Sequence, residues 1–102
     1  ERLCARVPAM ETGGVRRGHA GIYVNTPDRH ALLGPVPEVP GFYCAVGFSG
    51  HGFKEAPVAG QAMAELILDG QASVMDITPL HPSRFRAGKP YSGPHPYTQL
   101  SA

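Results

Sequence analysis

An α/β fold is predicted by three features that follow one another along the chain. They are a continuous apolar run from Phe42 to Val46, a glycine-rich loop from Gly47 to Lys54, and a helix-period stretch that ends at Gly70. A continuous run fits a strand buried on both faces, as in an α/β sheet, because a strand wetted on one face alternates instead. In the helical stretch Val58, Ala62 and Leu66 recur at i, i+4 spacing, as do Ala59, Met63 and Ile67. Gln61, Glu65 and Asp69 fall off that broad apolar face. Pro57 suits a first helical turn and Gly70 a C-terminal cap. Gly60 inside the helix costs about 1 kcal/mol relative to alanine, and tight packing against a strand is the context that tolerates it.

The elements before this unit are shorter. Arg2 to Arg6 begins as a helical turn, stopped near Val7 by Pro8, and Glu11 to Gly14 is a turn. Val15 to Thr26 reads as a strand whose Gly18 and Gly21 suggest a bulge or the close approach of another backbone or a ligand. A turn at Thr26-Pro27-Asp28 leads into a short apolar strand, Ala31 to Leu33, closed by Gly34-Pro35. After Gly70 the chain reads as extended coil with an anchor at Arg84-Phe85, and the last dozen residues read as loose.

Composition narrows the function. One hundred and two residues with 42% apolar content amount to one small domain. The net charge of +1, with nine basic and eight acidic side chains scattered along the chain, gives no basic face for nucleic acid. No apolar stretch has the length of a membrane span, and no signal-peptide pattern opens the chain. Cys4 and Cys44 have no metal-ligand spacing and read as buried thiols in a reducing compartment, so a cytoplasmic location is expected and no metal. Thirteen glycines and eleven prolines are many for an independent domain. The chain opens at Glu1, which fits either processing or a fragment boundary.

Strand, glycine loop and capped helix together favour an anion or the polar edge of a ring. A helix N-terminus offers unpaired N–H groups and partial positive charge, and glycines let a ligand reach them. The pyrophosphate fingerprints do not fit. Gly50-His51-Gly52 begins like GxGxxG, but Glu55 holds the sixth position, and Gly52 is followed by Phe53 and Lys54 rather than by Lys-Ser/Thr. The bland alternative is a tight strand-to-helix turn. The residues alone give a ligand loop without naming its ligand.

The stretch GFSGHGFKEAPVAGQAMAELILDG resembles the C-terminal segment of FAD-dependent oxidoreductases of the D-amino-acid oxidase and sarcosine oxidase type. Upstream, AGIYVNTPDRHALLGPVPEVPGFYCAVGFSGHG is similar to the same family's strand pair and return strand, and DITPLHPSRF to its usual ending. The likeness is collinear from about Val15 to Phe85 and includes the specific motif Gly47 to Lys54. It implies an incomplete α/β (α+β) unit. Residues 1–40 would be the end of the substrate-domain strands, 41–70 the return strand, loop and helix of the FAD-binding domain, and 71–102 a proline-rich coil. No dinucleotide fingerprint is present, so the resemblance implies a missing N-terminal FAD-binding portion or a partner chain.

Roles follow from the resemblance residue by residue. Gly50, His51, Gly52, Phe53 and Lys54 would pass beside the isoalloxazine ring, where backbone donors and the helix dipole favour negative charge. Gly21 and Ile22 would lie on the strand that lines the cofactor. Covalently flavinylated sarcosine oxidases have cysteine where this chain has Gly21, so the resemblance implies non-covalent FAD at this segment. Lys54 matches the lysine that binds substrate carboxylate in the sarcosine oxidase branch, and Tyr23 matches an aromatic on the substrate side. Ordinary alternatives stand beside these roles: a turn-filling His51, a solvated Lys54, a packing Tyr23. No catalytic residue is assigned. The implied reaction is hydride transfer from the carbon of a C–N bond of an amine or amino acid to flavin, leaving an imine for hydrolysis. Oxygen or a protein would take the electrons. The rival readings are a non-catalytic remnant or interaction module that keeps the fold, and a small-anion binder.

Overall fold

The computed structural model describes residues 2–93. A five-residue helix, α1 (Arg2–Arg6), ends where Pro8 holds Val7 at φ −135°, ψ 84°, and a 3-10 turn, Pro8–Thr12, follows. Nothing in either is buried.

The strand expected from Val15 to Thr26 does not form along its length. Asn25 makes an isolated antiparallel bridge to Phe48, and residues 13–25 are exposed throughout. Nor is the close approach expected at Gly18 and Gly21 made, since no described atom lies within 4 Å of where a Cβ would sit. The physical reason is a lack of partners. Strand amides need an edge to pair with, and among the described residues only Phe48 supplies one here.

β1 (Leu32–Pro35) starts one residue later than the expected apolar strand and pairs antiparallel with β2 (Tyr43–Val46). Leu32 stands opposite Val46, and Pro35 opposite Tyr43. The connecting turn is held by the Val36 amide donating to the Phe42 carbonyl at 2.9 Å. Burial of β2 on both faces is not observed. Phe42 is 55% and Val46 47% exposed, and Cys44 is half-buried. With β1 as its only partner among the described residues, β2 keeps an open edge and open faces.

α2 (Gly52–Asp69) begins five residues before Pro57, which therefore stands in the second turn and not the first. Its missing N–H leaves the Phe53 carbonyl without its helical partner; Phe53 is fully exposed, so water can reach that carbonyl. Gly70 ends the helix as expected, at φ +80° with its N–H on the Leu66 carbonyl. Only part of the predicted face is inward. Ala59, Ala62 and Met63 are buried with Ala31, Leu33 and Ile77, and Phe48, Leu66, Met75 and Leu80 pack around them. Val58 and Ile67 stay exposed. Gly60, expected against a strand, faces open space. It belongs to a second apolar stripe (Phe53, Pro57, Gly60, Ala64, Ile67) that is exposed along its whole length.

Beyond the helix, the Glu65 carboxylate accepts from the Ser73 and Val74 amides at 2.6 and 2.9 Å and from the Gln61 side chain. These donors, Val74 first, pull its pKa down to about 2. Two 3-10 turns, Thr78–Leu80 and Pro82–Arg84, interrupt the expected coil. Of the terminal dozen residues, Tyr91 is docked on Asp28 and His30; residues 94–102 lie outside the described residues. Both cysteines are free and half-buried rather than buried, and burial raises the Cys44 thiol pKa. The radius of gyration, 18.4 Å, exceeds the ~13 Å of a compact chain of this length. Among the described residues no helix is long and apolar enough to cross a membrane.

Candidate cofactor and substrate site

β2 runs straight into the glycine loop, and the loop reverses through left-handed backbone. Gly47, Ser49 and Gly50 have φ of +69°, +53° and +88°. Ser49 is the unusual member, because a side chain disfavours that region. Its hydroxyl donates to the Gly47 carbonyl and accepts from the Thr26 amide, both at 3.2 Å, and its own amide donates to Val24 at 3.1 Å. The loop is thereby stitched to residues 24–26. Gly47 has no room for a side chain: a Cβ there would lie 2.6 Å from Thr26 Cγ2. In a folded protein containing this segment, Gly47→Ala should cost about 2–4 kcal/mol, from strain at positive φ together with the clash. A thermal midpoint unchanged within error would refute this.

The loop delivers the start of α2. His51 is the N-cap, and its carbonyl accepts the Glu55 amide at 3.3 Å. The amides of Gly52, Phe53 and Lys54 occupy the first turn, where no intrahelical carbonyl serves them. Lys54 is exposed in that turn, as a reachable cation must be. Tyr23 lies over Gly50, so that a Cβ at Gly50 would be 3.0 Å from the ring. Gly52 is covered by Phe48 in the same way, at 3.2 Å.

The structure brings the expected site residues together in two groups. Tyr23 meets Gly50, while His51 and Lys54 line a half-open cavity of about 400 Å³ that does not include Tyr23. Ile22 and Phe53 project outward, 94% and 100% exposed, and Gly21 sits in open space beside Ile22. Among the described residues no group of three His, Cys, Asp or Glu side chains could hold a metal ion.

Beneath the loop is a polar clasp that sequence reasoning saw only in pieces, as a turn and an anchor. Arg84, 4% exposed, donates from Nε to Asp28 Oδ2 at 2.7 Å and from Nη2 to Oδ1 at 2.8 Å. It also reaches the Leu80 and His30 carbonyls, and its guanidinium stacks over Phe85 at 4.4 Å. Asp28 further accepts the amides of His30 and Tyr91. Burial alone would raise the Asp28 pKa; the Arg84 contact and the two amides outweigh it and hold the carboxyl well below its usual range. Thr26 links the clasp to the loop, its hydroxyl donating to the His30 carbonyl at 2.8 Å and lying 3.4 Å from Ser49 Oγ. Asp28 and Arg84 are 56 positions apart, so no local spacing could have paired them.

First-turn amides and the exposed Lys54 cation fit the electron-rich edge of a flavin. Comparisons with known proteins show the family. The family described as FAD dependent oxidoreductase matches residues 1–66. The bovine (Bos taurus) FAD-dependent oxidoreductase domain-containing protein 1 is 46% identical over 89 residues, 86% of this chain and 18% of the relative. N-methyl-L-tryptophan oxidase of Salmonella enteritidis is 41% identical over 73 residues, 72% of this chain and 19% of that one. Among solved structures, L-proline dehydrogenase from P. horikoshii superposes with a TM-score of 0.77 at 36% identity, covering 87% of this chain and 24% of that chain. The chain thus spans about a fifth of the length of the curated relatives it matches. By the family match over residues 1–66 and by the identity to these relatives, the chain belongs to the FAD-dependent oxidoreductase family.

Proposed function

We propose that this chain is the flavin- and substrate-facing C-terminal part of a longer FAD-dependent enzyme that oxidises a C–N bond of an amino acid or secondary amine. The observation that carries the reading is the loop itself, left-handed at Gly47, Ser49 and Gly50, feeding a helix whose first turn holds Lys54. Names of relatives that act on N-methyl-L-tryptophan and L-proline supply the substrate class. Bound along Gly21, Ile22 and Gly50 to Lys54, FAD would supply the hydride acceptor. The chain's own part is to orient. First-turn amides face the anionic edge, Tyr23 backs Gly50, and Lys54 holds the substrate carboxylate.

Residues 1–40 then belong to the substrate side, 41–70 to the flavin side and 71–102 to the proline-rich C-terminal segment, the first boundary falling in the turn between β1 and β2. The exposed second stripe of α2 and the open edge of β2 support a further polypeptide as partner. A reducing, cytoplasmic compartment fits the free thiols of Cys4 and Cys44.

Lys54→Met in the complete enzyme tests the reading, since it keeps the stem and removes the charge. Loss of one charge-assisted contact should cost roughly 1.5–3 kcal/mol in kcat/KM for a carboxylate-bearing amine. Flavin content and thermal midpoint should hold, because Lys54 is exposed. An amine without a carboxylate should be much less affected. Equal losses on both substrates, or loss of flavin, would move Lys54 out of the substrate site.

Gly21 carries a second test. With no thiol at that position, acid precipitation should release the yellow cofactor into the supernatant. Flavin retained on a peptide covering residues 15–30 would show the assignment of Gly21 to be wrong.

A further inference from the structure

The geometry points to the cavity beside Lys54 as the subsite for a bulky apolar side chain of the amino-acid substrate, an inference that rests on the reading of Lys54 as the carboxylate clamp. Its volume, about 400 Å³, lies within the range of small-molecule sites. Leu33, Phe48, Val58, Ala59, Met75 and Leu80 supply much of its apolar lining. The lining also carries Arg29 and Lys54 with Glu55 and Asp76, and the rings of His30, His51 and Tyr91. A lining with charges of both signs suits a zwitterion. A simple anion would be drawn by the two cations and repelled by the two carboxylates at once. Lys54 stands at the start of α2 and Val58 one turn further on, so a carboxylate on Lys54 leaves the side chain directed along the apolar wall.

The wall is built from four separate parts of the chain: β1, the glycine loop at Phe48, the helix, and residues 75–80. The Arg84–Asp28 clasp keeps the last of these in place, with Arg84 Nη1 on the Leu80 carbonyl at 3.0 Å. A cavity with walls held this way has a defined size and can discriminate substrates by bulk.

The test uses the complete flavoenzyme and a series of N-methyl amino acids: glycine, leucine and phenylalanine derivatives. From the first to the last, kcat/KM should rise at least about tenfold, as expected when methylene and aromatic groups enter an apolar pocket. Val58→Phe, at a partly exposed position, should narrow the cavity without stressing the core. It should lower kcat/KM for N-methylphenylalanine by about tenfold or more and leave N-methylglycine within about twofold. Met75→Trp fills the same space from the opposite wall and should give the same split. A flat series in the unaltered enzyme overturns the inference without any variant. Equal losses on all substrates also overturn it and show the cavity to be filled by polypeptide. If the carboxylate-bearing amines reduce the flavin and only bulk is ignored, the oxidase reading stands and the subsite falls. If no amine reduces the flavin, both fall together.

Discussion

Asp28→Asn in the complete enzyme should lower stability by about 3–5 kcal/mol, the largest loss expected from any single substitution here. The substitution keeps the shape and removes the charge that Arg84 faces, and Arg84 is 4% exposed with no other carboxylate in contact among the described residues. An uncompensated buried guanidinium is the cost. Arg84→Met should be similarly severe, because Asp28 is then left with two amides and no cation. Replacing both partners by apolar residues should recover only part of the loss, since the His30 and Tyr91 amides still lack an acceptor.

The pH dependence has a definite sign. The folded-state pKa of Asp28 is depressed, so its contribution is present above the ordinary carboxylate value of about 3.9 and is lost as pH falls through the folded value. Thermal midpoints of the unaltered enzyme should therefore decline below about pH 4, and the Asp28→Asn variant should show a shallower decline. A variant whose midpoint and acid limb match the parent would dismiss the clasp as a stabilising element. Because Thr26 joins Asp28 to Ser49, loss of the clasp should also loosen the loop and lower flavin occupancy.

Residues 1–102 alone should give no cooperative unfolding transition. Among the described residues the core is six small-to-medium side chains, none of them completely buried and large, and the sheet has two strands. Two-stranded sheets are marginal in water unless more strands or an extensive helix face cover them. Here α2 covers one face and turns a second apolar stripe outward, with Phe53 at 100% and Ile67 at 52% exposure. Val15 and Ile22, at 96% and 94%, are further exposed apolar side chains that additional polypeptide would cover. Calorimetry should show a broad or absent endotherm and dye-binding exposed apolar surface, with aggregation through the open edge of β2. A sharp, reversible, monomeric transition would refute the proposal that the segment needs further polypeptide.

How much of this was legible in the sequence depends on the range of the interaction. The stop of α1 at Pro8, the cap at Gly70 and the reversing loop at Gly47 to Gly50 are local consequences of proline and glycine backbone, and they were readable from residue type. The family motif, carried by the same loop, was readable for the same reason. β1 and β2 found each other as partners; what failed were readings that needed more partners than the described residues supply. Val15 to Thr26 has strand composition but, among the described residues, an edge to pair with only at Phe48. Phe42 to Val46 has the composition of a doubly buried strand, yet its faces are open. The start of α2 was misplaced because Pro57 favours a first turn, whereas the exposed Phe53 carbonyl lets the helix run through it.

The sequence by itself therefore determined the glycine loop, the helix after it, the family and the candidate residues Tyr23, His51 and Lys54. Each depends on φ preferences or on a contiguous motif. Only the tertiary structure decided that Asp28 and Arg84 clasp beneath the loop, that Ser49 is stitched to Thr26, and that Lys54 opens onto an apolar cavity while Tyr23 does not. Those are contacts between residues tens of positions apart. Chain folding sets their distance, and no periodicity in the sequence encodes it.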